Sequence, residues 1–255
     1  MIHILLSRWR QGHRTLAYPR TVPVLPERFR GRPQFGPGAC AQGCRACQDA
    51  CPTGAIQLQP SLRLDLGRCL FCTECTDACA EAGNVLRFSG DHRLAARERD
   101  HLVQEAGAPP QLAEALGPEL MRVLGRSLKL RVVSAGGCNG CEAEVNTLGT
   151  LAWDLGRFGI QFVASPRHAD GLLICGPVTT NMALAVRKTY DAVPEPRIVI
   201  AVGACAISGG PYLHQAEQLG GAVGAGLPVD LFIPGCPPHP LTLLDGLLRL
   251  LGKIS

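Results

Sequence analysis

The chain has 255 residues, of which 46% are hydrophobic and only 18% are charged, so it can bury a sizeable core and global disorder is excluded. Thirteen cysteines stand out, and eight of them lie between positions 40 and 79. The net charge is +4, but residues 1–38 alone carry seven arginines and one acidic residue, Glu27. The sequence therefore begins with a basic segment and continues as a nearly neutral body.

The basic arm, residues 1–37, is rich in proline and is expected to be largely irregular. Such arms bind nucleic acid, acidic protein surfaces or anionic membranes. We expect no nucleic acid, because no stacking aromatic residues or known binding module accompany the arginines. The apolar run Ile2–Leu6 is too short for a signal peptide, and the longest uncharged run, 198–216, contains turn residues. A reducing cytoplasmic location follows, in which cysteines are metal ligands rather than disulfides.

Residues 38–90 contain two similar series of four cysteines, about 29 residues apart. The series are Cys40-x3-Cys44-x2-Cys47-x3-Cys51 and Cys69-x2-Cys72-x2-Cys75-x3-Cys79. Such spacing is typical of 4Fe-4S ferredoxins, in which the fourth ligand of each cluster comes from the other series. We predict one cluster on Cys40, Cys44, Cys47 and Cys79, and a second on Cys69, Cys72, Cys75 and Cys51. A zinc site is the alternative, but a single zinc ion needs only four ligands, whereas the two series supply eight cysteines.

Two departures from the usual ferredoxin pattern concern local detail. The first gap has three residues where two is usual, so Cys40 is expected on a bulged loop. Ala80 stands where a proline often follows the last cysteine.

The next segment, 91–127, has helical spacing over Asp91–Glu105 and Leu112–Leu124, and we interpret it as a helical linker between two domains.

From residue 128 onward, short β-branched runs alternate with helical stretches, which favours a parallel sheet with crossover helices. The predicted strands are Leu128–Val133, Ile160–Val163, Gly171–Cys175, Arg197–Val202 and Val229–Ile233. The predicted helices are Glu142–Phe158, Asn181–Ala192 and Pro240–Leu251. Functional groups gather beyond the carboxyl ends of such strands. Four glycine-flanked cysteines follow three of these strands. They predict a third 4Fe-4S cluster on Cys138, Cys141, Cys205 and Cys236. The alternative for the Cys138-x2-Cys141 pair is a redox dithiol or half a zinc site.

Other polar residues near these cysteines have two interpretations each. Glu142 and Glu144 either interact favourably with the dipole at the start of a helix or act on the third cluster, as carboxylates that tune it or relay protons to a partner. Arg167, His168 and Asp170 either support the cluster or a partner face, or are surface charge. Cys175 is expected to be a core residue rather than a ligand.

The amino-terminal half resembles the polyferredoxin subunits of complex I and of formate hydrogenlyase-type hydrogenases. The resemblance rests on Tyr18-Pro19, on Phe29–Pro33 and on Leu66–Cys72, together with the cysteine series, and it covers roughly residues 15–100. It implies a two-cluster module that transfers electrons and rests on a membrane arm.

Residues 118–252 resemble the hydrogenase small-subunit superfamily, which includes the complex I subunit that carries the terminal cluster. The resemblance rests on Ser165–Leu173 and Gly176–Thr179, and the Cys-x2-Cys spacing is similar to the membrane-bound, group 4 nickel–iron hydrogenases. The chain thus looks like a fusion of two subunits. The expected fold is α/β, with a ferredoxin-like module followed by a flavodoxin-like parallel sheet with helices on both faces. The expected divisions are 1–37, 38–90, 91–127 and 128–255.

These resemblances imply an iron–sulfur electron-transfer subunit of a membrane-associated hydrogenase complex, with three 4Fe-4S clusters and no catalytic residue on this chain. The expected partners are a hydrogenase large-subunit-like protein and other soluble-arm and membrane-arm subunits, which hold the chain on the inner face of the membrane. No G-x-G-x-x-G loop is present, so we expect no NAD on this chain. The alternatives are a complex I-like oxidoreductase that reduces quinone or another acceptor, and a redox sensor.

Overall fold

The computed structural model describes residues 2–12, 14–36, 40, 43–82 and 85–254. Its helices are α1 (Ile2–Gln11), α2 (Ala46–Asp49), α3 (Glu74–Ala82), α4 (Pro118–Leu124), α5 (Gly140–Thr147), α6 (Thr180–Asp191), α7 (Gly203–Ser208), α8 (Gly221–Gly224) and α9 (Pro240–Leu250). Its strands are β1 (Pro33–Phe35), β2 (Ile56–Gln57), β3 (Arg63–Asp65), β4 (Leu86–Phe88), β5 (Val103–Glu105), β6 (Leu128–Ser134), β7 (Ile160–Phe162), β8 (Gly171–Cys175), β9 (Ile198–Val202) and β10 (Leu231–Ile233).

A parallel sheet of five strands, in the order β10-β9-β8-β6-β7, forms the centre of the carboxy-terminal domain. β8 and β9 are buried along their whole lengths, as expected of short aliphatic strands that are covered on both faces. β8 has the predicted bounds, and the other four strands lie within two residues of theirs. The predicted α/β class with a parallel sheet is confirmed.

The sheet packs helices on both faces because successive side chains of each strand point to opposite sides. On one face, Leu173 and its neighbours pack with Val145 of α5 and with the leucines of α9, which is buried along its whole length. On the other face, Leu172 joins a second hydrophobic layer with Val186 of α6 and Ile207 of α7. This arrangement leaves the carboxyl ends of the strands free for a site.

The cysteine-rich module contains two small antiparallel sheets. One pairs β1 with β4, and in the other β3 lies between β2 and β5. α2 packs against α3, and these helices carry cysteines of both series. The strands have only two or three residues, so the module has a small core, which continues into the layer beneath α6 and α7.

The predicted helix Glu142–Phe158 is wrong in its second half. α5 ends at Thr147, and only a turn of 3-10 helix follows, over Leu155–Phe158. The hydroxyl of Thr150 donates to the carbonyl of Thr147, so local side-chain bonding stabilises a turn where the helix would continue.

The segment 91–127 also differs from the predicted helical linker. α4 is its only α-helix among the described residues, and Val103–Glu105 forms the strand β5, which pairs with β3. The charged residues that suggested a helix make tertiary bonds instead: Arg99 donates to both carboxylate oxygens of Asp65, at 2.8 and 2.6 Å. Ala96 pairs with Phe232 beside β10, so this segment joins the two halves of the chain. The division into four domains stays a prediction.

Candidate functional site

The structure gathers the first predicted set of thiols where α2 lies against α3. Cys47 on α2 is buried, and the pKa of its thiol is raised by burial and then by the neighbouring thiols of Cys79, Cys40 and Cys44. These are the four residues that the crossed ferredoxin pattern assigns to one cluster. The bulge predicted beside Cys40 includes residues 41 and 42, which lie outside the described residues.

The second predicted set is gathered around a small cavity. Burial, opposed by a hydrogen bond from the Phe71 amide, raises the pKa of Cys69, and the thiols of Cys75, Cys51 and Cys72 raise it further. Burial, with Cys51 and Cys72, raises the pKa of Cys75 to about 12. All four thiols line one cavity, together with apolar side chains of β2, β3 and β4. A group bound there would be shielded from water.

Among the described residues of the module, three cysteine sulfurs accept hydrogen bonds from backbone amides. Ala55 N donates to Cys51 at 3.2 Å, Phe71 N donates to Cys69 at 3.3 Å, and Val85 N donates to Cys79 at 3.3 Å. Such bonds favour the thiolate, which is the form that ligates metal. The loops are therefore arranged to hold charged sulfur in a largely buried place.

The third predicted set comes from three separate segments that follow strands at the carboxyl edge of the parallel sheet. Cys138 and Cys141 follow β6, Cys205 is on α7 directly after β9, and Cys236 follows β10. Burial raises the pKa of Cys205 to about 12, with the thiols of Cys236 and Cys138 as further causes. The pKa of Cys141 is likewise raised by burial and by the other three thiols and Glu142. The four residues are thus neighbours in space.

Two glycines lie directly against thiols of the third set. Gly203 has φ +86°, and a Cβ atom there would lie 2.5 Å from Cys141 Sγ. Gly210 has φ +55°, and its Cβ atom would lie 2.9 Å from Cys205 Sγ. Only glycine combines positive φ with the absence of a side chain, so these loops approach the sulfurs as no other residue would allow.

The second set of thiols has neighbours in each of the other two sets. Among the causes that raise the pKa of Cys75 in the second set is the thiol of Cys47 in the first. Among those that raise the pKa of Cys236 in the third set is the thiol of Cys72 in the second. Cys72 and Cys236 also line one cavity of about 570 Å³. The second set therefore adjoins both of the others.

No three His, Cys, Asp or Glu side chains are arranged to hold a single metal ion in the part of the chain that the structure describes. A cubic cluster is larger than one ion and is held by four thiolates. The amide hydrogen bonds to sulfur fit such thiolate ligands, and Gly203 and Gly210 let the backbone lie close to two of the thiols.

The two glutamates after Cys141 differ in environment. Glu142, in the first turn of α5, is buried, and its Oε1 atom has no hydrogen-bond partner among the described residues. A buried carboxylate oxygen without a partner is costly, so a favourable interaction with the helix dipole does not account for it alone. Glu144 is half-buried, burial raises its pKa, and it lines the cavity that contains Cys72 and Cys236.

Other residues singled out in the sequence lie away from the third set. Arg167 and His168 are exposed and precede β8, so they lie at the amino end of the sheet, opposite the cysteines. Asp170 accepts a hydrogen bond from the Lys129 amide at 2.7 Å, which ties β8 to β6. These residues do not support the cluster loops. Cys175 is fully buried in the core, as expected.

A buried polar network escaped the sequence analysis. Tyr18 Oη donates to Asp245 at 2.8 Å, Arg249 Nε donates to the same carboxylate at 2.9 Å, and His92 lies 3.4 Å from Tyr18 Oη. It connects the basic arm, the segment 91–127 and α9. The spacing of Asp245 and Arg249 on α9 was a visible signal, but nothing in the sequence indicates Tyr18 as their partner.

Comparisons with known proteins place the carboxy-terminal domain in a family. The family model of the NADH ubiquinone oxidoreductase 20 Kd subunit matches residues 138–250, which include all four cysteines of the third set. A probable membrane-bound hydrogenase subunit, mbhJ, of Pyrococcus furiosus is 41% identical over 137 residues, which are 54% of this chain and 81% of that protein. The chain belongs to the 20 Kd subunit family. The predicted relationship to hydrogenases and complex I is confirmed.

A second curated relative supports the same family. An NADH-quinone oxidoreductase subunit of Clostridium beijerinckii is 48% identical over 115 residues, which are 45% of this chain and 68% of that protein. A chain of the membrane-bound sulfane sulfur reductase, an archaeal respiratory membrane complex, is 33% identical with a TM-score of 0.46, and the match covers 54% of this chain and 76% of that chain. Within the described residues, no helix is long and apolar enough to cross a membrane.

Proposed function

We propose that this chain is the iron–sulfur electron-transfer subunit of a membrane-associated, group 4 nickel–iron hydrogenase complex of formate hydrogenlyase type. In this proposal it holds three 4Fe-4S clusters and connects them to the active site of a partner large subunit. It is peripheral on the inner face of the cell membrane through partner subunits. Its relatives are named as subunits of a membrane-bound hydrogenase and of NADH-quinone oxidoreductase.

The grouping of twelve thiols into three neighbouring sets carries the proposal. The first cluster is assigned to Cys40, Cys44, Cys47 and Cys79, the second to Cys69, Cys72, Cys75 and Cys51, and the third to Cys138, Cys141, Cys205 and Cys236. When bound, such clusters supply one-electron transfer at potentials that hydrogen bonds and burial adjust. Amide donors of the module stabilise thiolates, and Gly203 and Gly210 let the backbone lie close to the thiols of Cys141 and Cys205.

The adjacency of the sets supports an electron relay rather than three independent sites. Cys47 and Cys75 are neighbours, and so are Cys72 and Cys236. Each pair joins two different sets, so the chain itself determines which sets adjoin. Ser208 contributes to this alignment, since its Oγ donates to the carbonyl of Gly67 at 2.9 Å, beside the second series.

The exposure of the third set supports a large-subunit partner. Cys138 and Cys236 are exposed, and Cys141 and Cys205 are only half-buried, whereas Cys69 and Cys75 of the second set are buried. A cluster in the third set would face water on this chain alone. A partner that covers this edge would shield it and bring its own active site close.

Glu142 is proposed to act beside the third set, as a buried carboxylate that adjusts its electrostatics or holds a proton toward the partner. Its Oε1 atom lacks a partner among the described residues, and its charge adds to the raised pKa of Cys141. Glu142→Gln is expected to keep the iron but to slow turnover of the complex. Glu144→Gln is a matched variant on the half-buried neighbour, and unchanged turnover in Glu142→Gln would contradict the role.

Metal analysis of the native complex, isolated through a tag on this chain, tests the proposal. Three cubic clusters predict about 12 iron atoms on this chain. The hydrogenase function predicts nickel in the complex and dihydrogen-dependent reduction of a dye. Iron near eight would contradict the assignment of the third set.

Full iron without nickel would favour the second candidate, a complex I-like oxidoreductase with quinone or another acceptor. The similarity to the NADH-quinone oxidoreductase subunit of Clostridium beijerinckii favours this candidate specifically. A redox sensor that binds nucleic acid through the basic arm is the third interpretation, and salt-dependent DNA affinity would be needed to support it.

A further inference from the structure

α1 exposes an unusual amount of apolar surface for a short helix. None of its residues is buried, and Ile2, Leu5 and Trp9 are 72%, 68% and 82% exposed. A large apolar side chain is less favourable in water than when it is buried. Several of them on one isolated helix indicate a surface that something else covers.

The apolar residues of α1 form one stripe. Ile2, Leu5, Leu6 and Trp9 follow the i, i+3, i+4, i+7 pattern, so they share one side of the helix. Arg8 and Arg10 lie on the two flanks of this stripe, because each residue turns the helix by about 100°. Ile4 is the exception, since the same geometry places it on the opposite, polar side.

Charge identifies the kind of surface that fits. Arg8, Arg10, Arg14 and Arg20 precede the first acidic residue of the chain, Glu27. Arginines beside an apolar stripe attract anionic headgroups, and tryptophan prefers the boundary between headgroups and acyl chains. A protein groove would account for the stripe, but it does not require arginines on both flanks without a single acid.

We propose that α1 lies in the plane of an anionic membrane surface, with Ile2, Leu5, Leu6 and Trp9 directed into the lipid. The arm that follows is tied to the parallel-sheet domain, because the Leu16 amide donates to the carbonyl of Ala152 at 2.8 Å. Leu151, beside this bond, is 71% exposed. The helix therefore gives this chain a lipid contact of its own, independent of the clusters and of the redox partner.

Sedimentation of the anaerobically purified full chain with lipid vesicles tests the proposal. We expect binding to vesicles of phosphatidylcholine with phosphatidylglycerol, weaker binding to phosphatidylcholine alone, and release by salt. Arg8→Gln combined with Arg10→Gln should weaken binding about 30-fold, from about 1 kcal/mol for each basic residue. In a Trp153→Phe background, Trp9 emission should shift to the blue on binding.

Two aliphatic residues of α1 provide a matched pair. Leu5→Ser should weaken vesicle binding about tenfold or more, whereas Ile4→Ser, on the opposite side of the helix, should leave it nearly unchanged. Equal losses in the two variants would contradict the proposed orientation. Absence of vesicle binding would overturn the proposal, and capture of a membrane subunit lost in Leu5→Ser alone would then assign the stripe to a protein partner.

Discussion

In the cysteine-rich module, Cys69, Cys72 and Cys75 fall within seven consecutive positions, whereas Cys138 and Cys236 of the third set are 98 positions apart. The module holds its thiols with tight loops and strands of two or three residues. The parallel-sheet domain holds its thiols at the ends of strands with a fully buried core. Neighbouring thiols are thus brought together mainly by local sequence in one region and by tertiary structure in the other.

The two regions also differ in what surrounds the thiols. Cys47, Cys69, Cys75 and Cys79 are buried within the module, while no cysteine of the third set is buried. The module thus buries four of its cysteines by itself, whereas the third set stays at least partly open to water on this chain. This difference is what the proposed interface with a partner at the third set would account for.

Loss of a ligand should have the greatest consequence. Cys69→Ser and Cys236→Ser should each remove about four of about 12 iron atoms, measured by iron analysis. Cys69→Ser should also unfold much of the module, because its short strands depend on the bound group for stability. Cys236→Ser should leave the parallel sheet folded by circular dichroism.

Cys175→Ala is the matched control, since Cys175 is a buried cysteine of the same domain that lies outside the third set. It should keep all the iron. If Cys236→Ser unfolded the parallel sheet as Cys69→Ser is expected to unfold the module, the two regions would not differ in their dependence on the bound group.

A second test concerns glycine. Gly203→Ala places a Cβ atom 2.5 Å from Cys141 Sγ at φ +86°, so it should displace the thiol and remove iron from the third set. Gly54→Ala, at φ +60° with no atom within 4 Å, should cost only the strain of about 1–2 kcal/mol and keep its iron. Iron content and thermal unfolding distinguish the two effects; equal iron contents would contradict the close packing at Gly203.

A third test addresses the contact between the two regions. Ser208 is buried and its hydroxyl donates to the carbonyl of Gly67, so Ser208→Ala should lower the free energy of unfolding by roughly 1–3 kcal/mol. Thr150→Ala removes an exposed hydroxyl from the same domain and should cost no more than about 0.5 kcal/mol. Urea unfolding measures the free energy of unfolding of both variants. Similar losses would show that the hydrogen bond to Gly67 does not contribute more to stability than an exposed hydroxyl does.

A dependence of stability on pH should be the weakest of these effects. Burial lowers the pKa of His92 below its ordinary value of 6.5, although Asp245 and Asp91 act in the opposite direction, and burial also lowers the pKa of His239. The unfolded chain therefore binds more protons, so stability is complete above about pH 6.5 and is lost as the pH falls below it. Arg93, Arg249 and Tyr18 also face this network.

Urea unfolding at several pH values, with iron measured at each, checks this dependence. His92→Phe should reduce the loss of stability toward acid pH, because one buried neutral histidine is gone. A loss of the same size in His92→Phe would assign the effect to other groups.

Much of the fold was accessible from the sequence. The bounds Gly171–Cys175 were predictable because a short aliphatic run between turn residues has few alternatives to a buried strand. Cys138, Cys205 and Cys236 were expected together because parallel strands end at a common edge. The segment Val103–Glu105 was predicted as helix and is a strand, since pairing with Arg63–Asp65 outweighs local charge spacing.

The α/β class, the two cysteine series and the choice of the twelve thiols depend on spacing and periodicity along the chain, so the amino-acid order is enough to predict them. Three features required the folded molecule: which sets adjoin, the burial of Glu142, and the reach of Tyr18 to Asp245 across 227 positions. The contacts behind them join residues far apart in the sequence. Long-range packing of the whole core selects such contacts, and no local pattern of residues encodes them.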